Sequence, residues 1–364
     1  MAGQAALSER ERRVLGIIET ARGKHAKFRD SQITMAHGAG GKATQTLIEG
    51  LLVPALGGAQ LELMADAGAV EVEGVKLALT TDAYVVRPLR FPGGSIGELA
   101  VNGTVNDLSV SGARPLALSV SLVLEEGLSA EDLRFEVDAI ARAATEAGVQ
   151  IVAGDTKVVE RGHADGMYVC STGIGALDPR ATLSPAALRP GDRILLSGSI
   201  GEHGAAIMLA RNEFDLDASI ESDTRPLWPA VDALLGSAGP ELHCMRDATR
   251  GGVASVLNEL ARSSSVAMIV REGDVPVQPA VAGAAEILGI DPMYVANEGK
   301  LVAFVSSDAA DDALAALRAV PGCEQAAEIG EVRTDPPGMV LVQTSFGGRR
   351  VMDQLVGDPL PRIC

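Results

Sequence analysis

The chain has 364 residues, more than one hydrophobic core usually supports, so two domains are expected. Hydrophobic residues make up 47% of it and aromatic residues only 3%, which predicts an interior of Ala, Val, Leu and Ile with few rings for stacking on bases. The net charge of −17 argues against a polyanion-binding surface, so no nucleic acid is expected as a partner.

Residues 1–34 stand apart. Ser8 and Glu11 fit a capping box, and Val14, Ile17, Ile18 and Ala21 make one apolar stripe beside Arg10, Arg12, Arg13, Arg22, Lys24, Lys27 and Arg29. This predicts a basic amphipathic helix that docks on the body or on an acidic partner. Residues 35–178 alternate strand and helix. Strands are expected at Val75–Thr81, Leu116–Leu124, Gln150–Ala153 and Met167–Thr172. One helix opens at Ser95 and runs towards Val110, and a second opens at Ser129 and stops at Gly148. The proline-rich stretch Leu177–Asp192 reads as a linker. In a second domain over 189–345, strands are expected at Arg193–Ser197, Val266–Val270, Leu301–Val305 and Met339–Gln343. Helices are expected near His203–Arg211, Leu227–Leu235, Val253–Arg262, Pro279–Leu288 and Asp308–Val320.

Residues 346–364 read as a flexible tail, hinged at Gly347-Gly348 and ending in Cys364. Fully drawn out from Gly348, it would span roughly 55 Å. It is either a swinging arm that carries a group on its thiol or a frayed end. Cys170, Cys244, Cys323 and Cys364 form no Cys-x-x-Cys pair, so neither zinc nor a disulfide framework is indicated, and Cys170 reads as a buried small hydrophobe. No apolar run reaches membrane-spanning length and the first residues lack a secretory core, so no membrane partner and a cytoplasmic location are expected.

Three features carry chemistry. His37-Gly38-Ala39-Gly40-Gly41-Lys42 is either a phosphate-cradling loop or a plain helix lead-in; Ala36 and Ala43 exclude a Walker A loop. Asp66, Asp82, Asp107, Asp155 and Asp247 are each an ordinary cap or turn residue alone, but as a set they suit a divalent cation shared with phosphate. Asn102 and Asn106 share a helix face beside Asp107. Asp247-Ala248-Thr249-Arg250-Gly251-Gly252, ahead of an apolar-periodic helix, fits a phosphate site and an ordinary helix start equally.

Together these motifs resemble the PurM-like ATP-binding superfamily, and most closely its HypE branch of hydrogenase maturation proteins. The residues that match are His37–Lys42, Val101-Asn102-Gly103-Thr104-Val105-Asn106-Asp107-Leu108, Gly154-Asp155-Thr156-Lys157-Val158-Val159, Asp247–Gly252, Asn297-Glu298-Gly299 and the ending Pro361-Arg362-Ile363-Cys364. The resemblance covers Ile33 to Cys364. It implies an α/β fold of two PurM-like domains whose N-terminal sheet pairs in a homodimer as a barrel. It also implies an activity: carbamoyl loaded on Cys364 by a HypF-like carbamoyltransferase is dehydrated with ATP and Mg²⁺ to a thiocyanate. The cyanide then passes to iron on a HypC–HypD-like scaffold for the Fe(CN)₂CO centre of nickel–iron hydrogenase. Another superfamily activity, selenophosphate- or aminoimidazole-ribonucleotide-synthetase-like, is the alternative.

By the same resemblance, Cys364 carries the group and Glu298 is the base. Lys157 polarises the carbamoyl oxygen or holds the γ-phosphate. His163 relays a proton, although alone it reads as a solvent-facing loop residue. Asp66, Asp107 and Asp247 become metal ligands. Gly40, Gly41, Lys42, Asp82, Asn102, Asp107, Gly154, Asp155, Thr156, Thr249, Arg250, Gly251 and Gly252 become nucleotide-binding positions.

Overall fold

The computed structural model describes residues 27–57, 65–211, 219–357 and 362–364; the basic helix expected around Ser8–Ala21 lies outside them. Two short helices, α1 (Lys42–Leu47) and α2 (Val53–Leu56), flank a wider turn at Ile48–Leu52. The first domain then runs through β1 (Gly68–Val72), β2 (Val75–Tyr84), a small hairpin of β3 (Arg90–Phe91) and β4 (Gly94–Ser95), and α3 (Ile96–Val110). It continues with β5 (Ala113–Glu125), α4 (Ala130–Glu146), β6 (Gln150–Val159) and β7 (Met167–Leu177). The Ser129 hydroxyl caps α4 by accepting from the Asp132 N–H at 3.0 Å, and Gly148, with φ 69°, turns the chain away after it.

The five strands lie in the order β1-β2-β7-β5-β6, antiparallel except for β5 and β6, whose parallel pairing needs the α4 crossover. Alternation assigns their faces. Thr80 and Tyr84 on β2, Leu118 and Val120 on β5, and Met167 and Val169 on β7 point inward to the helices. The other face is open, with Val70 48%, Val72 55% and Leu79 48% exposed. Cys170 belongs to that open face and is only partly buried, which corrects its reading as a core residue: its neighbours Val169 and Ser171 take the inward positions.

The second domain comprises β8 (Arg193–Leu196), α5 (Glu202–Ala210), α6 (Trp228–Ser237), β9 (Leu242–Asp247), α7 (Gly252–Ser263), β10 (Ala267–Arg271) and α8 (Pro279–Leu288). β11 (Leu301–Val305), α9 (Ala310–Arg318), β12 (Ala327–Arg333), β13 (Met339–Gln343) and β14 (Arg349–Met352) complete it. Its seven strands follow the order β14-β13-β10-β12-β8-β11-β9. Val253, Leu257 and Leu260 of α7 pack on one face of this sheet; Val231 and Leu234 of α6 and Leu317 of α9 pack on the other. Both faces are covered, so β11 is apolar throughout.

The tail is shorter than its composition suggested. Arg349–Met352 pair with β13 as an edge strand, and Gly347-Gly348 belong to the hairpin turn closed by the Thr344 N–H on the Gly348 carbonyl at 2.8 Å. Those glycines therefore turn a hairpin; they are not the hinge of an arm.

Helix α3 is buried nearly all round because it lies between the first sheet and the second domain. It sits so close to β2 that a Cβ at Gly103 would stand 2.2 Å from the Tyr84 hydroxyl. One turn on, Asn106 joins the domains. Its amide donates to the Arg225 carbonyl at 3.0 Å and the Glu298 carbonyl at 3.2 Å, and its Oδ1 accepts from the Leu227 N–H at 2.7 Å. Removing a side chain that satisfies three buried backbone groups costs about 2–4 kcal/mol. Asn106→Ala should therefore lower the urea unfolding midpoint by that equivalent, and an unchanged midpoint would show that the seam does not depend on it.

Candidate active site

A cleft with about 370 Å³ of empty space opens where α3 meets the second domain. Asp82 and Tyr84 reach it from β2, and Gly103 and Asp107 from α3. Across from them stand Asp247 at the end of β9, Thr249 and Arg250 in the turn before α7, and Glu298. The turn is shaped by Gly251 and Gly252, whose φ angles are 77° and 61°, a region that disfavours side chains. A Cβ at Gly252 would also meet the Met293 and Val295 carbonyls at 2.6 Å. Asn297 staples the opposite wall by donating to the Ala248 carbonyl at 2.9 Å and accepting from the Gly201 N–H at 2.8 Å.

One oxygen from each of Asp66, Asp107 and Asp247 lies within 4.8 Å of the others. Burial pushes the Asp107 and Asp247 carboxyls well above the usual range, and neighbouring carboxylates, Asp82 among them, push them further. Burial also raises Asp66, but the Arg246 guanidinium that pairs with it offsets part of the effect. The Thr80 hydroxyl lies 2.7 Å from Asp107 Oδ2, whereas buried Asp247 Oδ2 has no hydrogen-bond partner. An all-oxygen set with an orphaned buried carboxylate oxygen fits a hard divalent cation such as Mg²⁺.

Glu298 is buried with Oε1 unpartnered. Burial raises its pKa well above the ordinary value, and the charges of Asp247 and Asp223 add to the rise. Asp223 holds the Glu298 N–H through Oδ1 at 3.0 Å and the Lys300 ammonium through Oδ2 at 3.0 Å. Burial alone would raise Asp223 too, and it is the largest single effect; the Lys300 charge and the hydrogen bonds from the Glu298 N–H and the Lys300 ammonium together overcome it and hold Asp223 below the usual range.

The end of the chain enters this cleft. Cys364 lines it, and Ile363, only 2% exposed, bridges to Val86 as a single antiparallel pair. The Val85 N–H donates to the Cys364 carbonyl at 3.1 Å and the Arg87 N–H to the Arg362 carbonyl at 3.2 Å. Ile363 packs into the first-domain core beside Val86 and Phe91. Negative charge at Cys364 is the main cause that raises the Arg250 pKa.

The structure thus brings Cys364, Glu298, Asp82, Asp107, Asp247, Thr249 and Arg250 together, with Asp66 beside the last two aspartates. Other expected residues stand elsewhere. Gly40 packs against Arg250, whose guanidinium donates to the Gly38 carbonyl at 2.9 Å, so the glycine loop buttresses the cleft from behind. Gly41 abuts the Leu355 carbonyl, and Lys42 pairs with Asp353 at 2.8 Å. The Asn102 amide donates to Thr224 at 3.2 Å, along the domain seam.

Gly154, Asp155, Thr156 and Lys157 do not line the cleft. They lie on β6, the far edge of the sheet, three strand spacings or ~14 Å from β2. Asp155 and Lys157 also register with Ser121 and Val123, opposite in face to buried Val120 and Leu124, and pair with each other at 2.6 Å. His163 follows in the exposed loop after β6 and does not line the cleft, although Asp165 of the same loop pairs with Arg362 at 2.9 Å.

Tyr84, Arg246, Asp223, Lys300 and His203 were not anticipated. Tyr84 was accessible, since it shares strand parity with Asp82, and Arg246 directly precedes Asp247. The segment Ser222-Asp223-Thr224 carries no motif that would have singled it out.

Two family profiles match the chain. Residues 64–177 match the AIR synthase related protein, N-terminal domain, and residues 189–342 the AIR synthase related protein, C-terminal domain. The chain is 46% identical over 337 residues to the carbamoyl dehydratase HypE of Bradyrhizobium diazoefficiens, covering 93% of this chain and 97% of that one. It resembles a HypE structure in complex with ATP, with a TM-score of 0.77, 43% identity, and coverage of 92% of this chain and 100% of the other. A HypE–HypF complex gives a TM-score of 0.81 at 43% identity, covering 85% of this chain and 99% of the matched one.

The carboxylate cluster makes a prediction that needs no substrate. Without divalent cations, Asp247→Asn should raise the thermal midpoint by the equivalent of about 1–2 kcal/mol, because it removes a buried carboxyl that costs free energy whether it stays charged or takes up a proton. Mg²⁺ should stabilise the parent chain in a thermal-shift titration and leave the variant unmoved. A destabilised variant that still responds to Mg²⁺ would exclude Asp247 as a ligand.

Proposed function

The chain belongs to the HypE family of AIR synthase related proteins, and from that premise we propose that it is an ATP-dependent carbamoyl dehydratase acting on its own Cys364. The observation that carries this reading is the seating of Cys364 in the same cleft as Asp107, Asp247, Arg250 and Glu298. A thiol held there presents an S-carbamoyl group to a nucleotide without leaving the protein.

The proposed reaction has two stages. The carbamoyl oxygen takes the γ-phosphoryl group from ATP, ADP leaves, and one nitrogen proton is lost as a C=N bond forms. The C–O bond then breaks with its electrons going to phosphate, the second nitrogen proton is removed, and an S-bound nitrile remains. Glu298 suits proton removal, because a buried carboxylate among like charges is a stronger base than a free one. Arg250 and the N–H groups of the turn into α7 suit the phosphates. Asp66, Asp107 and Asp247 would hold Mg²⁺, which when bound supplies charge neutralisation for phosphoryl transfer.

A HypF-like carbamoyltransferase would load the thiol, and a HypC–HypD-like iron scaffold would receive the cyanide for the nickel–iron hydrogenase centre. The open, partly apolar face of the first sheet supports a homodimer in which a second sheet covers Val70, Val72 and Leu79. Asp155 and Lys157 stand on that face, so any part they take in the chemistry belongs to the seam between copies. Four free cysteines accord with a reducing, cytoplasmic setting; among the described residues no helix is long and apolar enough to cross a membrane.

Mass spectrometry of the terminal peptide, after carbamoyl loading and addition of Mg–ATP, should show carbamoyl addition followed by loss of one water. Cys364→Ala should abolish both changes while leaving nucleotide binding intact by calorimetry. Glu298→Gln should permit loading but slow water loss by about 100-fold or more. Nitrile formation in the Cys364→Ala chain would overturn the proposal.

A further inference from the structure

His203 is buried on α5 and takes no part in the chemistry above, yet it touches the end of the chain. Its Nε2 lies 2.6 Å from the Ile363 carbonyl and its Nδ1 lies 2.8 Å from the Ser222 hydroxyl. A carbonyl only accepts, so Nε2 carries the proton. Burial depresses the ring's pKa and keeps it neutral, which leaves Nδ1 bare to accept from the Ser222 O–H. Ser222 is itself fixed, its N–H donating to the Pro92 carbonyl at 2.8 Å and its Oγ accepting from the Thr224 N–H at 3.2 Å. Phe91 meets the imidazole edge-on at 5.6 Å. The ring therefore has one orientation and one tautomer, and its free donor is aimed at the residue preceding Cys364.

We propose that His203 is a positioning residue: its Nε2–H holds the Ile363 carbonyl and so sets how long Cys364 stays in the cleft. The contact complements the β2-side bonds, because Val85 and Arg87 take the carbonyls of Cys364 and Arg362 and leave that of Ile363 to His203. Recognition through backbone carbonyls does not depend on what the thiol carries, so the same grip serves the free and the loaded arm. When the arm leaves, a buried N–H loses its partner, which biases the chain towards the docked state.

This inference rests on Cys364 being the reactive thiol, but its main readout requires no turnover. In the full-length chain, the alkylation rate of Cys364 by iodoacetamide is followed on the terminal peptide, which separates it from Cys170. His203→Phe removes the donor but keeps a ring, and should speed alkylation about tenfold with an unchanged thermal midpoint. His203→Gln, which retains an N–H donor, should restore most of the protection. ATP-driven water loss from the loaded arm should fall in His203→Phe and recover in His203→Gln, while carbamoyl loading stays unchanged. Should His203→Phe not fold, Ser222→Ala releases the tautomer with the ring in place and should also speed alkylation. Equal alkylation in parent, His203→Phe and Ser222→Ala would overturn the proposal. Protected alkylation without any water loss in the parent would instead count against the dehydratase reading alone.

Discussion

Asp66, Asp82, Asp107, Asp247 and Glu298 converge on one desolvated cleft where Arg246 and Arg250 are the guanidinium groups that oppose them. A folded chain tolerates that imbalance only by protonating carboxyls or by taking up a cation. The rest of the architecture serves this concentration of charge. Two sheets, each with its own core, fix the strand ends and the two glycine-shaped turns, and α3 locks them together through Asn106.

The second organising feature is the return of the chain end into the same cleft. Ile363 completes a core cluster of the first domain, although it lies almost two hundred residues beyond that domain's last strand. The end is therefore part of the folded structure when docked, yet it is held by a single bridge to Val86 and a few hydrogen bonds. Arg362, with φ 59°, adopts a left-handed conformation that a non-glycine residue holds only when its surroundings compensate, here through Asp165 at 2.9 Å.

Much of the fold was legible from local pattern. The helix starts at Ser95 and Ser129 read correctly, but only Ser129 caps with its side chain; Leu301–Val305 and Met339–Gln343 read correctly as strands because buried strands are largely apolar. Strands β1, β3, β4, β9, β12 and β14 escaped notice. β12 and β14 mix charged residues with apolar ones, and their identity as strands comes from the neighbours they pair with. Of the chemistry, the aspartates and the turn at Thr249–Gly252 were visible as motifs, whereas the division of labour around them was not.

By itself the sequence determined which residues could do chemistry, the two-domain α/β architecture and the presence of a thiol at its last position, because these depend on residue type and local spacing. Only the tertiary structure decided that Asp155 and Lys157 face away from the cleft, that Gly347-Gly348 turn a hairpin, and that Asp223 and His203 serve Glu298 and the chain end. Strand order and side-chain parity govern those outcomes, and both arise from contacts between residues far apart in the chain. Motifs specify the groups, but long-range packing specifies which of them share one desolvated space.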